Sequence, residues 1–189
     1  MSLSDFSLED IKKYVEENES EIDEPQKKSS AFDTDNLKFK ILNDFGPLSD
    51  RRTAPHFTLV DWSGYKRYDL RAWKNDMTLP CKGTTFDQYE IEELIDFLNA
   101  YSFAEPSATV VREFTGGQAN AKFYGKLCEL SVTEVKDVTW KKEINIIDWG
   151  YGKKVDFRKW TFDYSKCSKG LCITFDELKT LKLILSSIK

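Results

Sequence analysis

The chain has 189 residues, of which 40% are hydrophobic and 14% aromatic, enough for one or two packed domains. Its longest apolar runs are far too short for a membrane span, and residues 1–5 lack the basic and then apolar pattern of a signal peptide. We therefore expect an intracellular globular protein with no membrane partner.

The net charge of −4 hides a segregation of charge along the chain. Residues 1–36 hold eleven acidic and four basic side chains, so residues 37–189 carry a net charge of +3. Residues 37–86 and residues 122–173 each carry +4. Because local charge sets the field that a ligand feels, the acidic overall balance does not exclude an anionic partner. Ordinary solvated surfaces are the alternative explanation for either stretch.

The acidic segment, residues 1–36, is predicted to be an appendage. Ser7 to Asp10 has the pattern of a helix cap, but residues 16–30 are charged and polar, with Pro25 and no apolar period. We expect this segment to be largely disordered.

The chain then repeats itself at a fixed offset of 87 residues, which predicts two similar structural units. The aligned copies contain no gap between Trp62 and Leu98. The matching positions are Asp61-Trp62 with Asp148-Trp149, Tyr68-Asp69-Leu70-Arg71 with Val155-Asp156-Phe157-Arg158, Trp73 with Trp160, and Lys82-Gly83 with Lys169-Gly170.

In the first copy, aromatic and branched residues predict strands over residues 38–43, 57–62 and 65–73, with Ser63-Gly64 as a turn. A helix follows, because Asp87 and Glu90 have the spacing of a capping box and apolar residues then recur at helical intervals. The pattern predicts a meander of antiparallel strands followed by one helix.

Residues 102–121 contain Pro106, Gly116 and Gly117 and few periodic apolar residues. They are predicted to be a linker, or an extension that adds a strand to the second copy. The second copy repeats the pattern of the first, with Thr174 and Glu177 as its capping box. The predicted fold is therefore α+β, with an acidic tail at 1–36, ββββα copies at 37–101 and 122–189, and a linker at 102–121.

Strand periodicity places one set of side chains on the sheet face opposite the helix. Tyr68 and Leu70 point toward the helix, so the opposite face of the first copy carries Arg67, Asp69, Arg71 and Trp73. The same count in the second copy gives Lys154, Asp156, Arg158 and Trp160. Trp62 and Trp149, at the ends of the preceding strands, have the same outward phase. One helix covers only one face of a sheet, so we expect this face to be uncovered in both copies.

Tryptophans interleaved with arginine and lysine suit single-stranded nucleic acid. Stacking on an aromatic side chain is worth roughly 1 to 3 kcal/mol per base, and cations follow the phosphates. Sequence geometry leaves open the alternative that Trp62 and Trp149 only lock the turns. For the two aspartates, pairing of Asp69 with Arg71 and of Asp156 with Arg158 is the favoured interpretation.

Other chemistry finds little support in the sequence. Cys81, Cys128, Cys167 and Cys172 lack zinc-site spacing and are expected to be reduced thiols, so no metal or cofactor is expected. The chain has no Gly-rich phosphate loop and no Ser or Cys with a repeated histidine partner, since His56, beside Pro55, is its single histidine. We therefore do not expect an enzyme.

At these residues the chain resembles the positive cofactor 4 transcriptional coactivators and, more closely, their small bacterial relatives. The resemblance rests on residues 139–149, on the Asp-[Leu/Phe]-Arg-x-Trp pattern at residues 69–73 and 156–160, and on Lys-Gly before a capped helix. It covers most of residues 37–101 and 122–188.

The resemblance implies a curved four-stranded sheet and one helix in each copy, with the copies paired through their helices as an intramolecular pseudo-dimer. A homodimer is the alternative. It also implies that single-stranded nucleic acid meets the positions matching the family pattern, which are Trp62, Lys66, Arg67, Arg71, Trp73, Trp149, Lys153, Lys154, Arg158 and Trp160. Lys82, Lys141 and Lys169, which lie in the same motifs, complete the expected nucleic-acid-binding set.

We therefore expect a non-enzymatic binder of single-stranded DNA, with RNA as the alternative, that acts with little sequence specificity in transcription, replication or repair. It would be cytoplasmic and nucleoid-associated in a bacterium, or nuclear in a eukaryote, and would meet the transcription or replication machinery. A protein-interaction scaffold using the same Trp/Arg face is the rival interpretation. The acidic tail is expected to compete with nucleic acid for the basic faces.

Overall fold

The computed structural model of the chain describes residues 39–74, 76–104, 107–116 and 119–188. They belong to one compact unit that spans Asn36–Lys189. The predicted disorder of the acidic tail lies outside the described residues. The described parts of residues 39–104 and of residues 107–188 are called the first and second half below.

The first half begins with an antiparallel sheet of four strands. These are β1 (Phe39–Pro47), β2 (Pro55–Trp62), β3 (Tyr65–Lys74) and β4 (Leu79–Phe86), which pair in chain order. Ser63 and Gly64 join β2 to β3 at φ values of 54° and 98°, the geometry of a tight hairpin turn. The predicted antiparallel meander is confirmed in this half.

The second half forms a separate antiparallel sheet with one strand more. Its strands are β5 (Arg112–Gly116), β6 (Ala119–Val135), β7 (Val138–Asp148), β8 (Lys153–Thr161) and β9 (Leu171–Ile173), again in chain order. The fifth strand is β5, which pairs with β6. The expected four-stranded sheet is therefore wrong for this half. Part of residues 102–121 is not a linker but the alternative that the sequence left open, an extension that adds a strand to the second copy.

One helix follows each sheet, α1 (Gln88–Ala100) and α2 (Phe175–Ser187), so the two helices begin and end 87 residues apart. Both predicted capping boxes are confirmed. The backbone N–H of Glu90 donates to the Asp87 carboxylate at 2.9 Å, and the N–H of Glu177 donates to the Thr174 hydroxyl at 3.1 Å. Within the described residues, the helices fall short of the length and apolar character that crossing a membrane requires.

The two halves share one hydrophobic core, which lies between the helices and the inner faces of the sheets. α1 packs against α2 and also against β6 of the other half. The rings of Phe86 and Phe157, one from each half, meet edge to face with centroids 6.2 Å apart. The fully or almost fully buried members include Phe57, Leu70, Phe86, Leu94 and Leu98 from the first half, and Leu130, Ile144, Phe157, Leu178 and Leu181 from the second.

The capping glutamates also link the halves. Glu90 of α1 accepts hydrogen bonds from the Ser131 hydroxyl at 2.6 Å and from Lys142 Nζ at 2.7 Å, both in the second half. Glu177 of α2 accepts from the Ser49 hydroxyl at 2.8 Å and from Arg51 Nε at 2.7 Å, both in the first half. Each helix start is therefore fixed to the opposite half.

Candidate functional site

The outer face of each sheet, opposite the helices, carries the same arginine–aspartate pair. Arg71 Nε and Nη2 donate to the two carboxylate oxygens of Asp69 at 2.6 and 2.8 Å, and Arg158 binds Asp156 in the same way at 2.6 and 2.7 Å. Both carboxylates are fully buried, and the arginine side chains are only 15% and 12% exposed. The predicted pairing is confirmed, and it neutralises both cations.

Each arginine also lies against two tryptophan rings. The guanidinium carbon of Arg71 is 4.8 Å from the ring centre of Trp62 and 5.8 Å from that of Trp73. For Arg158 the distances are 4.3 Å to Trp149 and 5.7 Å to Trp160. All four distances fall within the range of cation–π attraction. We call Trp62, Asp69, Arg71 and Trp73 the first cluster, and Trp149, Asp156, Arg158 and Trp160 the second cluster.

A glycine beside each arginine explains the repeated Lys-Gly motif. Gly83 of β4 pairs with Arg71 of β3, and a Cβ atom at Gly83 would overlap the Cβ of Arg71. A Cβ atom at Gly170 would overlap Arg158 in the same way. Glycine is therefore required for the neighbouring strand to approach the arginine this closely.

The expectation of an uncovered outer face is wrong for part of each cluster. Trp73 and Trp160 have the predicted strand phase but are only 5% and 0% exposed, so neither can stack on a base in this conformation. In the second half, Phe114, Phe123 and Tyr164 pack around Trp160, with ring centroids 5.2, 4.9 and 5.9 Å away. Phe114 comes from β5 and Tyr164 from the loop after β8, so distant segments build a second small aromatic core on this face.

Lys141 packs against Tyr164 at the edge of this second core and does not lie on an open surface. It is 8% exposed, with its Nζ 4.0 Å from the ring centre of Tyr164 and 3.5 Å from a Glu143 carboxylate oxygen. The Tyr164 hydroxyl donates to the same carboxylate at 2.8 Å. The guanidinium carbon of Arg112 lies 3.7 Å from the centre of the Tyr164 ring. Sequence reasoning missed Arg112, Phe114 and Tyr164, because they lie outside the repeated pattern.

The basic residues expected near the two clusters differ in their placement. Lys66 is exposed and Arg67 half-buried at the start of β3, and Lys153 and Lys154 are half-buried at the start of β8. Lys153 Nζ donates to the carbonyl of Ser107 at 2.9 Å. These four residues lie at two basic hairpin ends, just after the tryptophan of the preceding strand. Arg67 and Lys154 have the strand phase of the clusters, whereas Lys66 and Lys153 have the opposite phase.

Two further lysines of the expected set lie elsewhere. Lys82 directly precedes Gly83, the pairing partner of Arg71, so it has the opposite strand phase and does not share the outer face. Lys169 is exposed just before Gly170 and β9. Of the lysines predicted from the motifs, Lys154 shares a cleft with a partly exposed tryptophan, Trp149.

An open cleft of about 270 Å³ adjoins Trp149. Its lining residues are Ile147, Trp149, Tyr151, Gly152, Lys154 and Cys172. Tyr151, at the tip of the β7–β8 hairpin, is 87% exposed. Aromatic walls with a lysine at the edge are able to accept a planar group that carries a negative charge.

The two buried carboxylates differ in how fully they are satisfied. Asp156 also accepts from the Trp149 indole N–H at 3.2 Å and from the Cys172 thiol at 2.9 Å. Burial, together with the neighbouring Asp156 carboxylate, raises the pKa of Cys172 to about 12, so this thiol stays protonated as a donor. Among the described residues, the buried indole N–H groups of Trp62, Trp73 and Trp160 make no hydrogen bond of standard geometry. Burial raises the pKa of Asp69 above its ordinary value, although Arg71 and, less strongly, Trp62 act in the opposite direction.

Residues with metal-binding or nucleophilic side chains are scattered. The described residues contain no group of three or more His, Cys, Asp or Glu side chains that could hold a metal ion. The four cysteines are free thiols, and His56 Nδ1 lies 3.1 Å from the Asp44 carboxylate on the rim of the first sheet.

The fold and the two clusters define an α+β protein in which each of two antiparallel sheets presents a tryptophan–arginine–aspartate cluster opposite its helix. The chain is 30% identical over 80 residues to an uncharacterized protein of Treponema pallidum (strain Nichols). The aligned stretch covers 94% of that protein and 41% of this chain, so the relative is about as long as one copy of the repeat. This chain belongs to the same family as that protein. No family model matches the chain, and no solved structure matches it significantly.

Proposed function

We propose that this protein binds single-stranded DNA, with RNA as the alternative nucleic acid, through the outer faces of its sheets and without enzymatic activity. The observation that carries the proposal is the duplicated cluster, in which a partly exposed tryptophan, Trp62 or Trp149, lies beside a basic hairpin. A partly exposed indole offers part of its π-face to an unpaired base, and the lysines attract the phosphates. A duplex hides its base faces, so single strands are preferred.

Low sequence specificity follows from the same chemistry. Every base has a π-face, and phosphates carry no sequence information. The expected place of action is therefore wherever single strands are exposed, in transcription, replication or repair.

We further propose that the halves form an intramolecular pseudo-dimer related to the positive cofactor 4 family. The shared core and the reciprocal bonds of Glu90 and Glu177 support pairing in cis. The single-copy length of the Treponema pallidum relative supports an origin of this chain by duplication. A second chain is then not needed to complete the pair.

A protein-interaction scaffold is the second candidate function. It is favoured by exposed aromatic side chains at both ends of the second sheet, since Tyr151 is 87% and Phe162 is 70% exposed. Exposed aromatics beside basic residues are typical of interface hot spots. Such binding would depend only weakly on salt.

The proposal is tested by fluorescence anisotropy with a labelled thymine oligonucleotide of about twenty bases, enough to cover more than one binding module. The variant Lys153→Ala/Lys154→Ala should bind more weakly than the wild type. The matched control, Lys179→Ala/Lys182→Ala, removes the same charge from α2, on the other side of the sheet. Equal affinities of the wild type and the hairpin variant would count against this interface. Equal losses in the two variants would indicate an effect of net charge alone.

A further inference from the structure

We propose that Arg71 and Arg158 are positioning residues, which hold Trp62 and Trp149 for stacking, and that they do not contact the phosphates. This assignment rests on the proposed function and gives the repeated arginine a specific role in it.

The charge of each arginine is already used inside the protein. Each guanidinium makes two hydrogen bonds to a fully buried carboxylate and is at most 15% exposed. A phosphate would have to displace that carboxylate and leave it buried without its cation, which is strongly unfavourable. Each arginine–aspartate pair is therefore close to neutral, and it attracts an approaching nucleic-acid strand only weakly.

The geometry shows where each arginine acts. The rings of Trp149 and Trp160 are nearly parallel, at 11°, with centroids 6.2 Å apart. The guanidinium carbon of Arg158 is 4.3 Å from one centroid and 5.7 Å from the other. These three distances form a triangle, so the guanidinium supports both rings from one side and does not separate them. The cleft beside Trp149 is not lined by Arg158, which leaves part of the indole open to a ligand.

This role accounts for the Asp-x-Arg-x-Trp part of the repeated pattern, for the tryptophan before the turn and for the repeated glycine. The aspartate fixes the guanidinium plane, the arginine supports the tryptophan before the turn, and the buried tryptophan two residues later packs against it. Gly83 and Gly170 leave the space that the arginine side chain needs. Contact with the phosphates is left to hairpin lysines on the outer face, such as Lys154, which lines the cleft.

The test compares Arg158→Ala and Arg158→Lys with Lys154→Ala. The dissociation constant for a single-stranded thymine oligonucleotide is measured at several salt concentrations, after circular dichroism has shown that each variant is folded. Arg158→Lys retains a cation for Asp156, so it keeps the test available if Arg158→Ala does not fold.

We expect both Arg158 variants to bind about tenfold more weakly at every salt concentration, because lysine lacks the planar group that supports the ring. The slope of log affinity against log salt should stay at the wild-type value. Lys154→Ala should reduce that slope by about 0.7, the value for one lost phosphate contact on a single strand.

Three results would overturn the assignment. A shallower slope in Arg158→Ala, or wild-type affinity in Arg158→Lys together with weakened binding in Arg158→Ala, would show that the arginine meets phosphate as a charge. Wild-type affinity in both folded variants would show a role in the fold alone. If the wild type itself does not bind the single strand, the proposed function fails and this assignment fails with it.

Discussion

Replacing Glu90 with glutamine should destabilise the protein far more than the same change at Glu177. Both residues occupy the third position of a helix and close a capping box, and both bind a cation from the opposite half. Glutamine can still accept hydrogen bonds, so the two substitutions remove mainly charge. The difference lies in the surroundings of the cations, because the Lys142 side chain is 6% exposed and the Arg51 side chain is 47% exposed.

The burial of Lys142 sets the expected magnitude. Breaking a buried ion pair by removing one partner costs about 3 to 5 kcal/mol, whereas a pair with an exposed partner is worth about 1 kcal/mol or less. Burial already lowers the pKa of Lys142, with Glu90 acting against that effect. Without the Glu90 charge, Lys142 releases its proton more readily, which limits the loss in Glu90→Gln to about 3 kcal/mol and makes the loss shrink as the pH rises toward the ordinary lysine pKa.

Urea denaturation followed by circular dichroism measures both changes. We expect a large fall in the midpoint for Glu90→Gln at an unchanged m-value, and a small fall for Glu177→Gln. The double variant Glu90→Gln/Lys142→Met should recover part of the loss, since it no longer buries an unpaired ammonium group. Equal, small losses in the two single variants would refute the idea that Glu90 and Lys142 form a buried bond between the halves.

Three further predictions concern the clusters, the pH dependence and the tail. Gly83→Ala and Gly170→Ala should each cost roughly 1 to 3 kcal/mol of stability through overpacking and shift the tryptophan emission, because the new methyl group displaces Arg71 or Arg158; an unchanged emission spectrum would contradict the close approach. Burial raises the pKa of Glu177, but the bonds from Arg51, Thr174 and Ser49 outweigh this and hold the pKa below its ordinary value. The resulting stability is present above the ordinary glutamate pKa of about 4.3 and is lost as the pH falls through the folded-state value, so Arg51→Ala should flatten the fall of the denaturation midpoint in acid; an equally steep fall in the variant would count against it. Deleting residues 1–36 changes the net charge from −4 to +3 and should tighten binding of single strands at low salt; unchanged affinity would rule out competition by the tail.

The helices and the strand phases could be predicted from the sequence because their signals are local. A capping box spans four residues, so Asp87 with Glu90 and Thr174 with Glu177 fix the helix starts without help from the rest of the chain. The period-two pattern placed Asp69 and Arg71 on one face, and the two side chains do bond each other there.

The burial of the outer face could not be predicted, because it depends on segments that are distant in sequence. Trp160 is covered by Phe114 from β5 and by Tyr164 from the loop after β8, neither of which has a counterpart in the repeat. The strand pattern gives Lys141 the same outward phase as Trp149, but Tyr164 from the same loop packs against the Lys141 ammonium group. The bonds of Glu90 to Ser131 and Lys142 likewise require knowledge of how the two halves pack.

Intrinsic tryptophan fluorescence tests the central claim most directly, because the partly exposed Trp62 and Trp149 are the residues proposed to stack on bases. The protein is titrated with a thymine oligonucleotide of about twenty bases and, separately, with a duplex of the same length, at two salt concentrations. We predict quenching by the single strand alone, weaker at the higher salt concentration and reduced in Trp149→Phe. No response to either nucleic acid would contradict the account and would indicate that the outer faces bind protein partners.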